Sequence, residues 1–337
     1  MDTYRFIQLD VFTSEAFAGN PLAVFPEAEG LTDEVMMKIA REMNLSETVF
    51  VLRADSDQES ESSNQQTANS KQPAERDAPS TPSVLRRLRI FTPAREIPFA
   101  GHPIVGTWNA LAREGIVPLP EGGSGWTRIH HEIGIGVLPV EIEFADGAPV
   151  QVVMTQGKFE IVRDLDDSQE QAELARALGL AREDLDENLP IQIISTGLPF
   201  LAVPIRSLSD LRRCWVNASL LAEIYQRAGS TGCYPFTLET IEIGAARAHA
   251  RLFAPADNIP EDPATGSAAG ALGAYLVHHG ATNVEATDGR FRFVIEQGDF
   301  MKRPSRINLD VKGQAGSIEE VKVGGPSVEV ARGEVFF

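Results

Sequence analysis

Apolar and polar residues along the chain follow strand-like and helix-like periods in turn. Residues 4–12 alternate apolar and polar positions, which predicts a strand, and residues 32–43 have helical spacing after Thr32, a suitable N-cap. Two longer helices are predicted at 103–114 and 263–280, each with a proline at its first position and a glycine at or just after its end. Shorter helices are predicted at 168–179, 207–212 and 217–228, and further strands at 48–52, 88–91, 127–133, 135–144, 149–155, 233–241, 246–253, 291–297, 305–311, 318–323 and 326–336.

One stretch of the chain has neither period. From Arg53 to Ser83 it consists mainly of Ser, Gln, Asn, Glu, Asp, Ala and Pro. Such a composition buries too little apolar surface to offset the entropy that is lost when a chain becomes ordered. The sequence therefore predicts a disordered polar insertion at 53–83.

Two pairs of segments repeat in the same order. Phe91-Thr-Pro-Ala-Arg-Glu-Ile-Pro98 matches Phe253-Ala-Pro-Ala-Asp-Asn-Ile-Pro260 at a constant offset of 162 residues, and Gly19-Asn-Pro-Leu-Ala-Val24 matches Gly197-Leu-Pro-Phe-Leu-Ala-Val203 with one insertion. The repeats predict two halves that share one fold, with a site in the cleft between them. Each half combines many antiparallel strands with one long helix, so the predicted class is α+β, with a mostly antiparallel sheet rolled around a central helix.

Both long helices begin with small residues. Gly101 precedes the first, and Thr265, Gly266 and Ser267 stand at the start of the second. The first N–H groups of a helix have no internal partner and carry partial positive charge. Two such starts facing each other would hold a carboxylate or an enolate-like anion. The alternative interpretation is that the glycines only allow close helix packing.

Three titratable residues are candidates for proton transfer. Asp262 directly precedes the second helix and His102 stands at the start of the first, although Asp is a common N-cap and His102 could hydrogen-bond within its turn. Glu47 stands at a helix-to-strand junction beside a very apolar strand. Desolvation there would raise its pKa and suit it to acid/base catalysis, whereas an exposed loop position would give it no such role.

The composition excludes several classes of partner. A formal net charge of −18 argues against binding to nucleic acid or to an anionic membrane. No stretch approaches the roughly 20 apolar residues of a membrane span, and the N-terminus lacks a signal-peptide core, so a cytoplasmic protein is expected. Cys214 and Cys233 have no metal-ligand spacing, and the adjacent histidine pairs are poor chelators, so no metal site is predicted.

Taken together, these motifs resemble the phenazine-biosynthesis PhzF-like family, which belongs to the diaminopimelate-epimerase-like superfamily. The motifs span nearly the whole chain in the family's order. No single motif is specific to the family, but their combination is. The matching pieces are Asp10-Val-Phe-Thr13 with Phe17-Ala-Gly-Asn-Pro-Leu-Ala-Val24, Asn44-Leu-Ser-Glu-Thr48, Phe99-Ala-Gly-His-Pro103, Glu261-Asp-Pro-Ala-Thr-Gly-Ser-Ala268, and Gln297-Gly298 with Arg303-Pro-Ser305.

The resemblance implies two pseudo-symmetric domains with the active site in the cleft. We place them at 1–125, with the last strand at 326–337 returning to this domain, and at 126–325. It also implies an isomerase that needs no cofactor, acts on a small carboxylated substrate and is often a homodimer.

The resemblance also assigns roles to individual residues. By this likeness Glu47 is the acid/base that transfers the proton, and His102 and Asp262 line the pocket opposite it. The implied substrate-binding residues are Gly101, Gly266, Ser267, Asn20 and Ser46.

The sequence departs from its relatives and leaves alternatives open. Cofactor-free racemases of the superfamily carry a cysteine at the start of each central helix, and both starts lack one here. One carboxyl that removes a proton at one carbon and returns it at another therefore fits better, with a racemase or epimerase, or a non-catalytic binding protein, as alternatives. Ile104 stands where Thr is usual and Lys302 where Gly is common, so the substrate is not assigned.

Overall fold

The computed structural model describes residues 2–54, 83–244 and 246–337. The insertion predicted at 53–83 lies, apart from its ends, outside the described residues. The strands are β1 (Thr3–Val11), β2 (Asn20–Phe25), β3 (Glu47–Leu52), β4 (Val84–Phe91), β5 (Glu96–Ile97), β6 (Gly125–Ile133), β7 (Gly136–Ala145), β8 (Ala148–Thr155), β9 (Glu160–Asp164), β10 (Gln192–Ser195), β11 (Pro199–Pro204), β12 (Cys233–Thr237), β13 (Ala246–Ala250), β14 (Leu252–Ala254), β15 (Ile259–Asp262), β16 (Arg290–Gln297), β17 (Ser305–Gln314), β18 (Ser317–Gly325) and β19 (Ser327–Phe336). The helices are α1 (Asp33–Met43), α2 (Gly101–Arg113), α3 (Ser168–Ala177), α4 (Leu208–Arg212), α5 (Ala218–Arg227) and α6 (Gly266–His278).

The two halves have the same order of strand pairings. In the first half β1 and β2 are antiparallel, β2 and β3 parallel, β3 and β4 antiparallel, β4 and β6 parallel, and β6, β7 and β8 antiparallel. In the second half β10, β11, β12, β13, β16, β17 and β18 follow the same series of orientations. β8 pairs antiparallel with β18 and joins the halves. The predicted α+β fold with two pseudo-symmetric halves is confirmed.

One long helix lies at the centre of each half. Every residue of α2 from Gly101 to Ala112 is buried, and in α6 all but Ser267 and His278 are buried. A helix that is apolar or small on all sides belongs in a core, and here the sheet strands surround it. A Cβ atom at Gly106 would lie 2.6 Å from Leu22 Cδ2, so the glycines inside these helices do serve close packing.

The remaining helices cover the outside of the sheet. α1 packs its buried Met36, Ile39 and Ala40 against the apolar side chains of β2, β3 and β4. α3 and α5 form a second apolar cluster with β10 and β11. β19 pairs antiparallel with β1 along nearly its whole length. The domain boundaries near residue 125 stay a prediction.

Several predicted element boundaries are wrong. β2, β5, β9, β10, β11 and β15 were not predicted, and the strand expected at 246–253 is divided into β13 and β14. α6 begins at Gly266 rather than at Pro263, because β15 continues to Asp262 and the chain turns before Thr265 becomes the N-cap. Among the helices in the described ranges, none is long and apolar enough to cross a membrane.

Candidate active site

Glu47 is the first residue of β3. Asn44 ends α1 in a left-handed conformation, and the chain then turns through Ser46 into the strand. The Glu47 side chain is 12% exposed. Burial, assisted by the negative charge of Asp262 and opposed by the neighbouring Ser46 hydroxyl, raises the pKa of Glu47 to about 8. Near neutral pH the carboxyl is therefore mostly protonated and has the pKa of an effective acid/base.

His102 faces this carboxyl from the first turn of α2. The distance from His102 Nε2 to Glu47 Oε2 is 3.4 Å, and among the described residues neither atom has a hydrogen-bond partner. Burial lowers the pKa of His102 to about 3. The two groups are thus neutral at neutral pH, and their contact is not an ion pair despite the short distance.

Asn20, the first residue of β2, connects the two halves. Its Nδ2 donates to Asp262 Oδ1 at 2.9 Å and to the Ala264 carbonyl at 2.9 Å, and its Oδ1 accepts from Ser46 Oγ at 3.2 Å. Nδ2 also lies 3.4 Å from His102 Nδ1. Because an amide nitrogen does not accept a hydrogen bond, this contact favours the tautomer of the neutral ring that has its N–H on Nε2, on the side of the glutamate carboxyl.

Asp262 ends β15 and is not the N-cap of α6, so the alternative interpretation of Asp262 as a helix cap is wrong. Its Oδ1 accepts from Asn20, and its Oδ2 accepts from the hydroxyl of Thr265, the actual N-cap residue. Burial raises the pKa of Asp262 to about 6, and the hydrogen bonds from Thr265 and Asn20 oppose that rise. Asp262 can therefore exist in either protonation state near neutral pH.

The starts of the two central helices lie against each other. A Cβ atom added to Gly101 would be 3.6 Å from the Ser267 nitrogen and 3.8 Å from Gly266 Cα. Neither helix has an acidic residue in its first turn that would neutralise its positive end. The converging amide ends are suited to an anion.

The structure brings the candidate residues into one region. Contacts link Glu47, His102, Asn20, Asp262 and Ser46, and the helix starts carry Gly101, Gly266 and Ser267. This convergence is observed, whereas the role of each residue stays a prediction.

Sequence reasoning missed two side chains that hold this region. Gln297 Nε2 donates to the Asp262 carbonyl at 2.8 Å and to Thr265 Oγ1 at 3.1 Å, and Tyr234 donates to Gln297 Oε1 at 2.9 Å. Gln297 had appeared only as part of a motif, and Tyr234 carries no local signal that could have singled it out.

Two positions that depart from the family pattern lie near the site in sequence. Ile104 is fully buried in the core cluster that contains α2. Lys302 is exposed and has a φ of 61°, a left-handed conformation that glycine adopts without strain. Its neighbour Arg303 donates from Nε to the Gly19 carbonyl at 2.8 Å and pairs with Asp10 at 2.6 Å, and so holds the segment before Asn20.

The two cysteines lie away from the helix starts. Cys214 and Cys233 are buried in the apolar cluster of the second half. Burial raises the pKa of Cys214 to about 11 and that of Cys233 well above its ordinary value. Within the described ranges, no three His, Cys, Asp or Glu side chains are grouped so that they could hold a metal ion.

A groove of about 720 Å³ lies elsewhere, against β6, β7, β8, β16, β17 and β18. Trp126, Arg290 and Lys322 contribute to its lining, and none of the candidate site residues does. Its cations are paired, Lys322 with Glu141 and Arg290 with Asp310 at 2.8 Å. Size alone does not make it the site, because the buried titratable groups Glu47, His102 and Asp262 lie outside it.

The two pseudo-symmetric halves, each a sheet around one central helix, have the diaminopimelate-epimerase-like fold. The solved structure of a hydroxyproline epimerase from Agrobacterium vitis matches with a TM-score of 0.59 and 13% identity, covering 99% of this chain and 92% of that one. At this identity the likeness concerns the fold.

More similar proteins identify the family. The family described as phenazine biosynthesis-like protein, PhzC-PhzF, matches residues 9–333, and this chain belongs to it. A PhzF-family protein of Bacillus anthracis has a TM-score of 0.81 and 27% identity, and each chain is covered completely, 100% in both cases. An uncharacterised isomerase of Clostridium acetobutylicum is 35% identical, with 98% of each chain covered. The trans-2,3-dihydro-3-hydroxyanthranilate isomerase of Pseudomonas aeruginosa is 31% identical, with 99% of each covered. The chain is thus a member of an isomerase family.

Proposed function

We propose that this protein is a cofactor-independent isomerase in which Glu47 moves a proton within a small carboxylated substrate. The observation that carries the proposal is the position of the Glu47 carboxyl. It is buried, faces the neutral ring of His102, and lies in the cluster at the converging starts of α2 and α6. A carboxyl with a pKa near the working pH is an efficient proton carrier.

The helix starts provide a place for the substrate carboxylate. The backbone N–H groups of Gly101, Gly266 and Ser267 would bind its oxygens and orient the adjacent carbon toward Glu47. These fixed dipoles would also stabilise the negative charge that develops on the carboxylate when a neighbouring C–H bond breaks.

The reaction proceeds in two proton transfers. The ionised form of Glu47 removes a proton from a saturated carbon next to a C=C bond that is conjugated with the carboxylate, and the electron pair of that C–H bond becomes a new C=C bond. The displaced π electrons of the old double bond then take the proton from Glu47 at another carbon. Glu47 returns to its starting state, so the isomerisation balances without an oxidant or a reductant.

His102 and Asp262 assist from the facing side. His102 presents its Nε2–H toward Glu47, where it can donate a hydrogen bond to the carboxylate when the proton has moved to the substrate. Asp262 is held by Asn20 and by the Thr265 hydroxyl and would orient a polar group of the substrate.

The names of the relatives suggest the substrate class. Several relatives at 30–31% identity are named for trans-2,3-dihydro-3-hydroxyanthranilate, a cyclic unsaturated carboxylate. We therefore propose an unsaturated carboxylate of this size, and this compound is the first to assay.

The experiment compares wild-type protein with Glu47→Gln and with the exposed control Glu285→Gln. Each is incubated in D₂O with trans-2,3-dihydro-3-hydroxyanthranilate and, separately, with metabolite extract, and deuterium gain is measured by mass spectrometry. Glu47→Gln should stay folded, still bind and lose turnover by about 10²- to 10⁴-fold. Unchanged turnover in Glu47→Gln would refute the proposal. Tight binding without deuterium in any compound would favour the non-catalytic alternative.

The proposal also covers organisation and location. A cytoplasmic homodimer whose subunits each contain domains at 1–125 with 326–337 and at 126–325 agrees with the family relationship. Sedimentation analysis checks the dimer, and limited proteolysis checks the boundary near residue 125.

A further inference from the structure

Gln297, the last residue of β16, is a fully buried amide whose hydrogen-bonding capacity is completely used. Its Oε1 accepts from the Thr265 backbone N–H at 3.2 Å and from the Tyr234 hydroxyl at 2.9 Å. Its Nε2 donates to the Asp262 carbonyl at 2.8 Å and to Thr265 Oγ1 at 3.1 Å. An amide has two donor hydrogens and two acceptor lone pairs, and all four are occupied here.

The partners permit only one orientation of this amide. A backbone N–H can only donate and a backbone carbonyl can only accept. A flipped Gln297 would place its nitrogen against the Thr265 N–H and its oxygen against the Asp262 carbonyl. Burial also raises the pKa of Tyr234 well above its ordinary value, so that the Tyr234 hydroxyl stays protonated and donates to the amide oxygen.

This orientation fixes the direction of one hydroxyl hydrogen. Because Thr265 Oγ1 accepts from Gln297 Nε2, its single hydrogen is free to donate elsewhere, and the atom in contact is Asp262 Oδ2. Asp262 Oδ1 already accepts from Asn20. Both carboxyl oxygens therefore receive hydrogen bonds, which favours the ionised carboxylate over the protonated acid.

We propose that Gln297 is a positioning residue that, through the Thr265 hydroxyl, holds Asp262 as a hydrogen-bond acceptor and thereby sets the charge opposite Glu47. This inference rests on the proposed function for its catalytic meaning, although the charge of Asp262 can be measured without a substrate. The ionisable groups around Asp262 are Glu47, His102, Tyr234 and Glu261.

Loss of the amide has a definite electrostatic consequence. Without Gln297 Nε2, the Thr265 hydroxyl can rotate and accept a hydrogen from protonated Asp262, so the pKa of Asp262 rises. Less negative charge then faces Glu47, and the pKa of Glu47 falls, because the Asp262 charge is one cause of its elevation.

The test titrates both carboxyls by infrared difference spectroscopy in ligand-free protein. Their protonated-carboxyl bands are assigned by their loss in Glu47→Gln and Asp262→Asn. In Gln297→Met the Asp262 midpoint should rise and the Glu47 midpoint should fall. Thr265→Val should reproduce the Asp262 change, whereas Thr265→Ser, which keeps the hydroxyl, should restore wild-type behaviour. Thr265→Val carries the test if Gln297→Met does not fold.

A matched control separates positioning from general stability. Gln192 is also a buried glutamine, with Nε2 donating to Asp164 at 2.6 Å and Oε1 lying 2.9 Å from His279 Nε2. Gln192→Met should lose stability without moving either site midpoint. Wild-type midpoints in Gln297→Met and Thr265→Val, or equal shifts in Gln192→Met, would overturn the inference.

The kinetic consequence is tested separately. With trans-2,3-dihydro-3-hydroxyanthranilate as the probe, Gln297→Met should slow deuterium incorporation by about 10- to 100-fold. An active Glu47→Gln variant would refute the proposed function alone, since the titrations in ligand-free protein would still report whether Gln297 sets the charge of Asp262.

Discussion

The raised pKa of Glu47 makes stability depend on pH in a way that needs no substrate to measure. An ordinary glutamate loses its proton near pH 4.5, whereas folded Glu47 keeps it up to about pH 8. Between these values the folded state binds more protons than the unfolded state, so raising the pH favours unfolding. Below pH 4.5 the carboxyl is protonated in both states and adds no ionisation cost, and the full ionisation cost is present above pH 8.

The magnitude follows from the two pKa values. One pKa unit corresponds to about 1.4 kcal/mol, so ionisation of Glu47 should cost about 4 kcal/mol of unfolding free energy between pH 5 and pH 9. Glu47→Gln removes this cost, since an amide does not ionise in that range. The variant should therefore gain stability relative to wild-type protein as the pH rises, on top of any offset that does not depend on pH.

Thermal and denaturant unfolding at matched pH values checks this prediction. The exposed control Glu285→Gln should follow wild-type protein at every pH. Asp262→Asn should reduce the pH dependence for two reasons: the charge of Asp262 contributes to the raised pKa of Glu47, and the pKa of Asp262 is itself raised to about 6. A stability difference between wild-type protein and Glu47→Gln that stays constant from pH 5 to pH 9 would show that the carboxyl is not held protonated, and the reasoning would fail.

Two further predictions concern the helix glycines and the cysteines. Gly101→Ala should keep the melting temperature but lower turnover by about 10- to 100-fold, because the new methyl would lie 3.6 Å from the Ser267 nitrogen and cover that amide. Gly106→Ala should instead leave turnover intact and lower the unfolding free energy by about 1–3 kcal/mol, since its methyl would lie 2.6–2.7 Å from side chains of β1 and β2. Iodoacetamide should leave activity intact, because Cys214 and Cys233 are buried and burial raises the pKa of each thiol. Rapid inactivation by this reagent would contradict proton transfer by a single carboxyl.

The alternation of apolar and polar residues predicted those strands that bury one face. In β6, positions alternate between more and less exposed from Gly125 to Ile133, and the prediction was correct to within two residues. β2 and β11 were missed because each lies between two neighbouring strands, one of them parallel, and nearly all of its residues are buried. Such strands show a continuous apolar run rather than an alternation. β9 was missed for another reason, since most of its residues are exposed.

From the sequence, only those site residues could be predicted whose neighbours along the chain mark them out. In the sequence, Glu47, His102 and Asp262 each stand at a predicted junction or helix start beside small or apolar residues. A titratable residue in such a position is a candidate for proton transfer. The contact of Gln297 with Asp262 joins residues 35 positions apart, and that with Tyr234 joins residues 63 apart. Only the folded chain brings such partners together, so local spacing could not predict them.

The duplication also bears on whether one carboxyl or a pair of groups would transfer the proton. In each half, a strand that follows an outer helix runs parallel to the strand that carries the Leu-Ala-Val repeat: β3 is parallel to β2, and β12 is parallel to β11. In this register Leu22 lies opposite Glu47, and Leu201 lies opposite Cys233. Equivalent positions thus hold the proposed acid/base residue in one half and a fully buried thiol with a raised pKa in the other. Two-base racemisation uses a group on each face of the reacting carbon, whereas a proton carried by one group leaves and returns on the same face. The second half has no carboxyl at the position that matches Glu47, and the starts of α2 and α6 carry no cysteine, which together favour a proton shift along one face of the substrate over two-base inversion at a single carbon.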